Sequence, residues 1–365
     1  MGLIISLAGS TPANDEKKDR QPGEKPGEKI ERSFPVDPQA TVTLCVASGT
    51  LKVRGWDKSE VHVRALGAEQ IDFHRIDRIK DTSKPATRVD VMLMQHGGTY
   101  AAKLDCQAVA DVEMEVPTGA TVQVQTGDGD IVIAGVAGAY AGSQNGDITI
   151  ERASKLVEAG SVGGSIFLKD SSGRVNLSSA GGGVEAINVR PATTDDTFEV
   201  GTVSGDIQLD RISNPKVVAK TVNGTVTMTG PLAKSGWYGF TNMTGDLILA
   251  MPHDASFQLN AKVSEKENLI SDFKLTYINE PAAPPAAYPR QPAQSATPPK
   301  PPAQQTPQKK TGPAGKGGPL VAPIIVERPV VAAPYVLRRV NAICGSGDAT
   351  ISIASFGGTV RLKKI

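Results

Sequence analysis

Asn145-Gly146-Asp147-Ile148-Thr149-Ile150 is the shortest complete form of a phrase that recurs between Thr126 and Leu249. Ser204-Gly205-Asp206-Ile207-Gln208-Leu209 and Thr244-Gly245-Asp246-Leu247-Ile248-Leu249 are close relatives of it. Aligned on the glycine, seven copies stand at Gly129, Gly146, Gly164, Gly182, Gly205, Gly224 and Gly245, with gaps of 17, 18, 18, 23, 19 and 21 residues. A period of about 20 residues is that of a solenoid coil and is too short for most helical repeats.

The columns of this alignment carry the fold prediction. Two residues after the glycine stand Ile131, Ile148, Ile166, Val184, Ile207, Val226 and Leu247, and four after it stand Ile133, Ile150, Leu168, Ala186, Leu209, Met228 and Leu249. The position between them varies freely (Val132, Thr149, Phe167, Glu185, Gln208, Thr227, Ile248), so each copy reads as a short strand with one buried face. Three residues before the glycine runs a polar column, Thr126, Ser143, Ser161, Ser179, Thr202, Thr221 and Asn242. A small hydroxyl or amide at a fixed inward register predicts an internal ladder, each member bonding its neighbours or the turn backbone. About ten residues on, a second strand recurs, as in Val157-Glu158-Ala159 and Phe198-Glu199-Val200. Two strands per coil with a glycine corner describe an all-β parallel β-helix, its coils about 4.8 Å apart. Glycine suits the corner by reaching φ > 0, and the Asp that often follows (Asp130, Asp147, Asp206, Asp246) can bond the turn backbone.

Composition agrees. Aromatic residues make up only 4% of the chain while Gly and Pro number 38 and 26, which fits a turn-dense β protein better than a helical one. The net charge of +1 provides no global field for nucleic acid or an acidic membrane. Cys45, Cys106 and Cys344 have no CxxC spacing, and His62, His74, His96 and His253 are scattered, so neither a metal site nor any other cofactor is predicted. Cys45 and Cys106 could pair if the chain is exported, and Cys344, three residues before Gly347, stands in the polar column.

Along the chain, residues 1–30 combine a short apolar start, read as a truncated secretory signal, with a charged tether rich in Pro and Gly. Residues 31–117 read as a β capping region of longer strands, with Ser48-Gly49-Thr50-Leu51 a degenerate copy of the phrase and 71–80 a short helix or irregular crossover. Residues 118–280 are the solenoid repeats. Residues 281–335, rich in Pro, Ala and Gln, read as a disordered insertion, after which 336–365 supply one more coil around Gly347-Asp348 and Gly358-Thr359. Those last residues are too few to fold alone, so the insertion lies within one solenoid.

With Val53-Arg54-Gly55-Trp56-Asp57, Val116-Pro117-Thr118-Gly119, the glycine phrases and the closing Gly358-Thr359-Val360-Arg361-Leu362, the chain resembles a family of bacterial envelope proteins known as putative adhesins. The resemblance implies a parallel β-helix, exported or membrane-tethered, of unknown function and with no catalytic residues to transfer.

The acidic column invites chemistry, since stacked carboxylates could hold calcium. Unit charges about 4.8 Å apart repel by roughly 0.9 kcal/mol in water and by several times that at a protein surface. Ser165, Gly183 and Thr225 interrupt the column, however, and no further oxygen ligands recur at fixed offsets, so the aspartates read as turn-stabilising. Catalysis on a polysaccharide would need paired carboxylates. Glu158 and Glu199 lie two coils apart, about 9.6 Å by the coil spacing. Outward Phe167 and Ile248, with Trp237, Tyr238 and Phe240 near one coil, form a candidate apolar patch. The reading is a non-enzymatic envelope solenoid, an adhesin or scaffold. It would present a rigid face to a surface ligand such as a cell-wall or extracellular polymer or another protein, and would meet the membrane only through an N-terminal signal or tether. Export to the periplasm, outer surface or medium is expected, with the cytoplasm left open by the incomplete signal. A polysaccharide-acting β-helix enzyme and a polymerising solenoid are the alternatives.

Overall fold

The computed structural model describes residues 29–77, 83–94, 106–264, 268–278 and 337–365. The tether expected before residue 29 and the insertion expected at 281–335 lie outside the described residues. The described chain is all strand and turn, apart from a single 3-10 residue at Asn268.

Seven two-strand coils run in chain order through the middle: β7 (Thr121–Asp128) with β8 (Ile131–Ala134), β9 (Gly138–Ser143) with β10 (Ile148–Glu151), β11 (Leu156–Ser161) with β12 (Ile166–Lys169), β13 (Arg174–Ser179) with β14 (Val184–Val189), β15 (Thr197–Ser204) with β16 (Ile207–Ile212), β17 (Lys216–Asn223) with β18 (Val226–Thr229), and β19 (Trp237–Thr244) with β20 (Leu247–Met251). The even-numbered strands stack in parallel as sheet 1, the odd-numbered as sheet 2. Register never slips between glycine phrases. Ile148 lies between Ile131 and Ile166, and Ile207 between Val184 and Val226. Unbroken register keeps every apolar position of the phrase inside, because a one-residue shift would turn each strand's core face outward.

The core is the narrow space between the two sheets. Ile131, Ile148, Ile166, Val184, Ile207, Val226 and Leu247 are all buried from sheet 1, and they meet Val157, Val175, Phe198, Val217 and Tyr238 from sheet 2. Each such aliphatic side chain contributes about 1.5–3 kcal/mol as area removed from water.

The two ends depart from chain order. β1 (Lys29–Ser48) crosses both sheets, and its second half forms a coil with β2 (Leu51–Trp56). β3 (Glu60–Leu66) and β4 (Gln70–Arg75) follow, and then β5 (Ala86–Met94) and β6 (Asp111–Pro117) form another coil. That later coil stacks outside the first, so β1 lies between β5 and β7, and β2 between β6 and β8. Antiparallel β3 and β4 close this end. The expected 31–117 cap therefore also supplies two full coils. Strand β4, with Ile71 buried, replaces the helix or crossover expected at 71–80, of which 78–80 lie outside the described residues.

At the other end β21 (Phe257–Val263) and β22 (Leu269–Ser271) form the outermost coil, flanked by β23 (Thr276–Tyr277) and β24 (Arg338–Cys344). The C-terminal coil, β25 (Ala349–Ser355) with β26 (Val360–Lys364), slots inside it: β25 pairs with both β19 and β21, and β26 with both β20 and β22. The corner glycine of this coil is Gly358, stacked on Gly245, and Ser355 pairs with Asn242 in the polar column. Cys344 is not in that column, as the spacing to Gly347 had implied. It lies on antiparallel β24 opposite Phe257, its thiol against Ala255 O at 3.5 Å, with burial pushing its pKa up.

Candidate binding surface

The corner glycines form one column from Gly49 through Gly129, Gly146, Gly164, Gly182, Gly205, Gly224 and Gly245 to Gly358. A Cβ added at any member after Gly49 would lie 1.9–2.3 Å from the carbonyl oxygen of the glycine before it. The expected positive φ holds at Gly129, Gly224 and Gly245, between 110° and 155°, but not along the whole column. Gly146, Gly164, Gly182 and Gly205 are not in the left-handed region, and what excludes a side chain there is the approach of the neighbouring coil.

The hydroxyl column uses those same carbonyls. Ser143 Oγ donates to Gly129 O at 3.2 Å, Ser161 Oγ to Gly146 O at 3.1 Å and Ser179 Oγ to Gly164 O at 2.8 Å. Thr202 Oγ1 donates to Gly182 O at 3.0 Å and Thr221 Oγ1 to Gly205 O at 3.2 Å. Asn242 Nδ2 donates to Gly245 O, and Thr126 Oγ1 is buried with no partner among the described residues. The aspartates reach the other way along the stack. Asp130 Oδ1 accepts from Asp147 N at 2.9 Å, Asp147 Oδ1 from Ser165 N at 2.7 Å, Asp206 Oδ1 from Thr225 N at 2.7 Å and Asp246 Oδ1 from Thr359 N at 2.8 Å. Asp111 does the same for Thr50 N at 2.8 Å. Each of these carboxylates satisfies a backbone donor of the next coil. No group of three His, Cys, Asp or Glu among the described residues could hold a metal ion.

A second corner column went unread in the sequence. Six residues after successive glycines stand Gly135, Arg152, Asp170, Asn188, Arg211 and Gly230, all with φ between 49° and 128°. The Gly, Asp and Asn members of that column are its sequence signal; the arginines mask it.

Where Gly183 replaces the Asp, Ser or Thr of its neighbours, the outer face of sheet 1 has a recess of about 250 Å³, lined by Asp147, Thr149, Ser165, Phe167, Glu185, Asp206 and Gln208. Two of its three carboxylates already accept a backbone N–H. On sheet 2, Glu158 and Glu199 are separated by Asn176 in one row. Of the candidate apolar patch, Phe167 and Ile248 are half-buried on sheet 1, Tyr238 and Phe240 are buried, Tyr238 OH accepting from Ala233 N at 2.6 Å, and Trp237 stays exposed, at 39%.

At the N-terminal end Cys45 and Cys106 form a disulfide across 61 residues. Close by, the Arg75 guanidinium hydrogen-bonds Asp77 at 2.6 Å and pulls its pKa down to about 2, with Thr87 N and Oγ1 donating to the same carboxylate.

Two parallel sheets wound from coils of about 20 residues, with a glycine corner and an inward hydroxyl ladder, define a two-sheet β-solenoid. The Toastrack DUF4097 family model matches residues 42–267, more than half of the chain, and the chain belongs to that family. No curated protein matches it. Among solved structures, the chain is similar to "a putative cell adhesion protein" from Clostridium sporogenes (9% identity, covering 93% of this chain and 100% of that one, TM-score 0.24). It is also similar to "a putative adhesin" from Parabacteroides merdae (9% identity, 62% and 90% covered, TM-score 0.37) and a "putative lipid binding protein" from Parabacteroides distasonis (13% identity, 62% and 90% covered, TM-score 0.37). Their superposition is loose, so the fold assignment rests on the strand pairing and the family match. No helix among the described residues is long and apolar enough to cross a membrane.

Proposed function

We propose that this protein is a non-enzymatic β-solenoid of the cell envelope whose outer faces are a rigid platform for binding an extracellular or cell-wall ligand. The observation that carries the reading is the use made of polar side chains. The hydroxyls and aspartates of the repeat are spent on holding one coil to the next, and where carboxylates gather at Glu31 and Glu115 the Arg64 guanidinium sits between them. Glu158 and Glu199, two strand spacings or about 9.6 Å apart, have Asn176 between them. Export is supported by the Cys45–Cys106 disulfide, since such bonds persist in oxidising compartments.

Fractionation of the native cell, with alkylation of free thiols before any reduction, tests the reading. The expected result is protein outside the cytoplasm in which only Cys344 takes the label. Cytosolic protein labelled at all three cysteines would overturn it. Cleavage of a glycan panel that Glu158→Ala and Glu199→Ala abolish would favour the enzyme instead.

A further inference from the structure

Sheet 2 changes character along the stack. Its middle coils present Glu158 and Glu199 outward, but from β17 onward the sheet runs through β19, β25, β21 and β24, and none of these five strands contains an Asp or Glu. They carry Lys216, Lys220, Lys262, Arg338 and Arg339 instead, all exposed. No ion pair among the described residues involves any of the five. Asp246, Asp254 and Asp348 stand in the corners that flank β19, β21 and β25, and Glu265 and Glu267, which follow β21 in sequence, lie outside the described residues. In a chain of net charge +1, the five described strands of this face thus gather positive charge with no carboxylate of their own.

The registers arrange it. Lys220, Thr241, Ala354, Lys262 and Arg339 form one row across the five strands, so Lys220 and Lys262 stand three strand spacings apart, about 14 Å. The parallel row is Lys216, Trp237, Thr350 and Gln258. Between them run Gly239, Ser352 and Asn260. A Cβ on Gly239 would lie 2.6 Å from Trp237 Cζ3 and 3.3 Å from Cζ2, so the indole lies down over the glycine backbone instead of standing off the sheet. Glycine is needed at 239 because that ring occupies the space a side chain would take.

An indole folded over the backbone of a rigid sheet, flanked by cations and by hydroxyl and amide groups, matches one ligand chemistry. The indole can cover the C–H face of a pyranose, the lysines and arginines can meet carboxylates or sulfates, and Thr350, Ser352 and Asn260 can exchange hydrogen bonds with ring hydroxyls. We propose that the outer face of sheet 2 between β17 and β24 binds a linear acidic polysaccharide, with Trp237 as stacking platform and Lys216, Lys220 and Lys262 as anion contacts. The proposal rests on the envelope-platform reading and names its ligand class. A nucleic acid carries the same charge, but a single ring amid hydroxyls and amides fits sugars better than a file of bases, which calls for repeated aromatic platforms.

Affinity electrophoresis and titration calorimetry of the full, disulfide-bonded chain test it, with polygalacturonate as carboxylate probe, heparin as sulfate probe, dextran as neutral control and oligothymidylate as nucleic-acid control. Binding to one or both acidic glycans, none to dextran and weakening with salt are expected. Trp237→Ala should weaken binding about tenfold, and the charge reversals Lys220→Glu and Lys262→Glu by at least as much. Both lysines are exposed, so those variants should keep the wild-type circular dichroism and melting temperature even if Trp237→Ala does not. Failure to bind either acidic glycan, indifference to the charge reversals, or tighter binding to oligothymidylate would overturn the assignment. If exported, disulfide-bonded protein gives any of these results, the platform reading survives without its ligand, whereas a reduced cytosolic protein would sink both.

Discussion

Gly205→Ala adds one methyl group at a corner where the added carbon would lie 2.3 Å from Gly182 O and 2.7 Å from Gly182 C. Gly205 is outside the left-handed region, so alanine incurs no backbone penalty there and the whole effect must come from coil against coil. Atoms of this kind sit comfortably at about 3.5 Å, so the corner has to open by roughly 1 Å. Two hydrogen bonds flank the contact, Thr202 Oγ1 to Gly182 O and Gly205 N to Asn223 O, both 3.0 Å. Overpacking costs about 1–3 kcal/mol and a spoiled buried hydrogen bond about 1, giving about 2–4 kcal/mol in all. At roughly 2 °C per kcal/mol for a chain of this size, the melting temperature should fall by about 4–8 °C. Gly201, on the same strand as Thr202, supplies the control Gly201→Ala, because its added carbon would meet nothing nearer than Lys220 O of β17 at 3.9 Å. It should be neutral or stabilising by up to about 1 kcal/mol. Thermal melts followed by circular dichroism read both variants. Gly205→Ala within 1 °C of wild type, or Gly201→Ala as damaging as Gly205→Ala, would refute the idea that coil spacing selects these glycines.

Breaking the Cys45–Cys106 bond, by Cys45→Ala with Cys106→Ala, frees a separation of 61 residues and should cost about 4 kcal/mol on the loop-entropy model, read as a lower urea midpoint that matches the reduced wild type. An unchanged midpoint would mean the bond constrains nothing. Asp77, with its pKa lowered from 3.8 to about 2 by Arg75, contributes stability that is fully present above pH 4 and is lost as pH falls through 2. Carboxyl NMR should therefore find it ionised at pH 3, and Arg75→Ala should return its titration to near 4. Arg211, at φ 53°, occupies a corner that its neighbours fill with Gly or Asn, so Arg211→Gly should stabilise by about 0.5–1 kcal/mol; a loss of stability in urea titration would show that its exposed pair with Asp210 outweighs the strain.

How much of this was legible depends on whether a feature repeats. The apolar pair around Thr149 or Gln208, the hydroxyl before each glycine and the unbroken register all follow from one phrase read seven times, because every copy solves the same packing problem. The reason for glycine was not legible. A left-handed φ and a close neighbouring carbonyl both select the residue, and only coordinates tell Gly205 from Gly245, which has φ 110°. Trp237, Tyr238 and Phe240 looked alike as an aromatic run, yet strand alternation and the tilt of one ring over Gly239 buried two and exposed the third. The acid-free character of β17, β19, β25, β21 and β24 could not be read along the chain either, since β21 precedes β25 in sequence and follows it in the stack.

That inversion occurs at both ends and has a physical rationale. A solenoid stacked strictly in chain order would leave its first and last coils paired on one face only, free to expose strand edges. Here the coil nearest each chain end is paired on both faces, β1 with β2 between two neighbours and β25 with β26 between two others. The outermost coils are instead β5 with β6 and β21 with β22. One is further tied by antiparallel β3 and β4, the other by β24 along the whole of β21. The remaining edges at the C-terminal end are β22 and β23, three and two residues long, and the four residues Arg338–Asn341 of β24 that β23 does not reach. Short edges offer little template for another chain, so a coil-on-coil contact would have to use the opposite end, where Lys29–Pro35 of β1 and the six-residue β4 are the outermost strands.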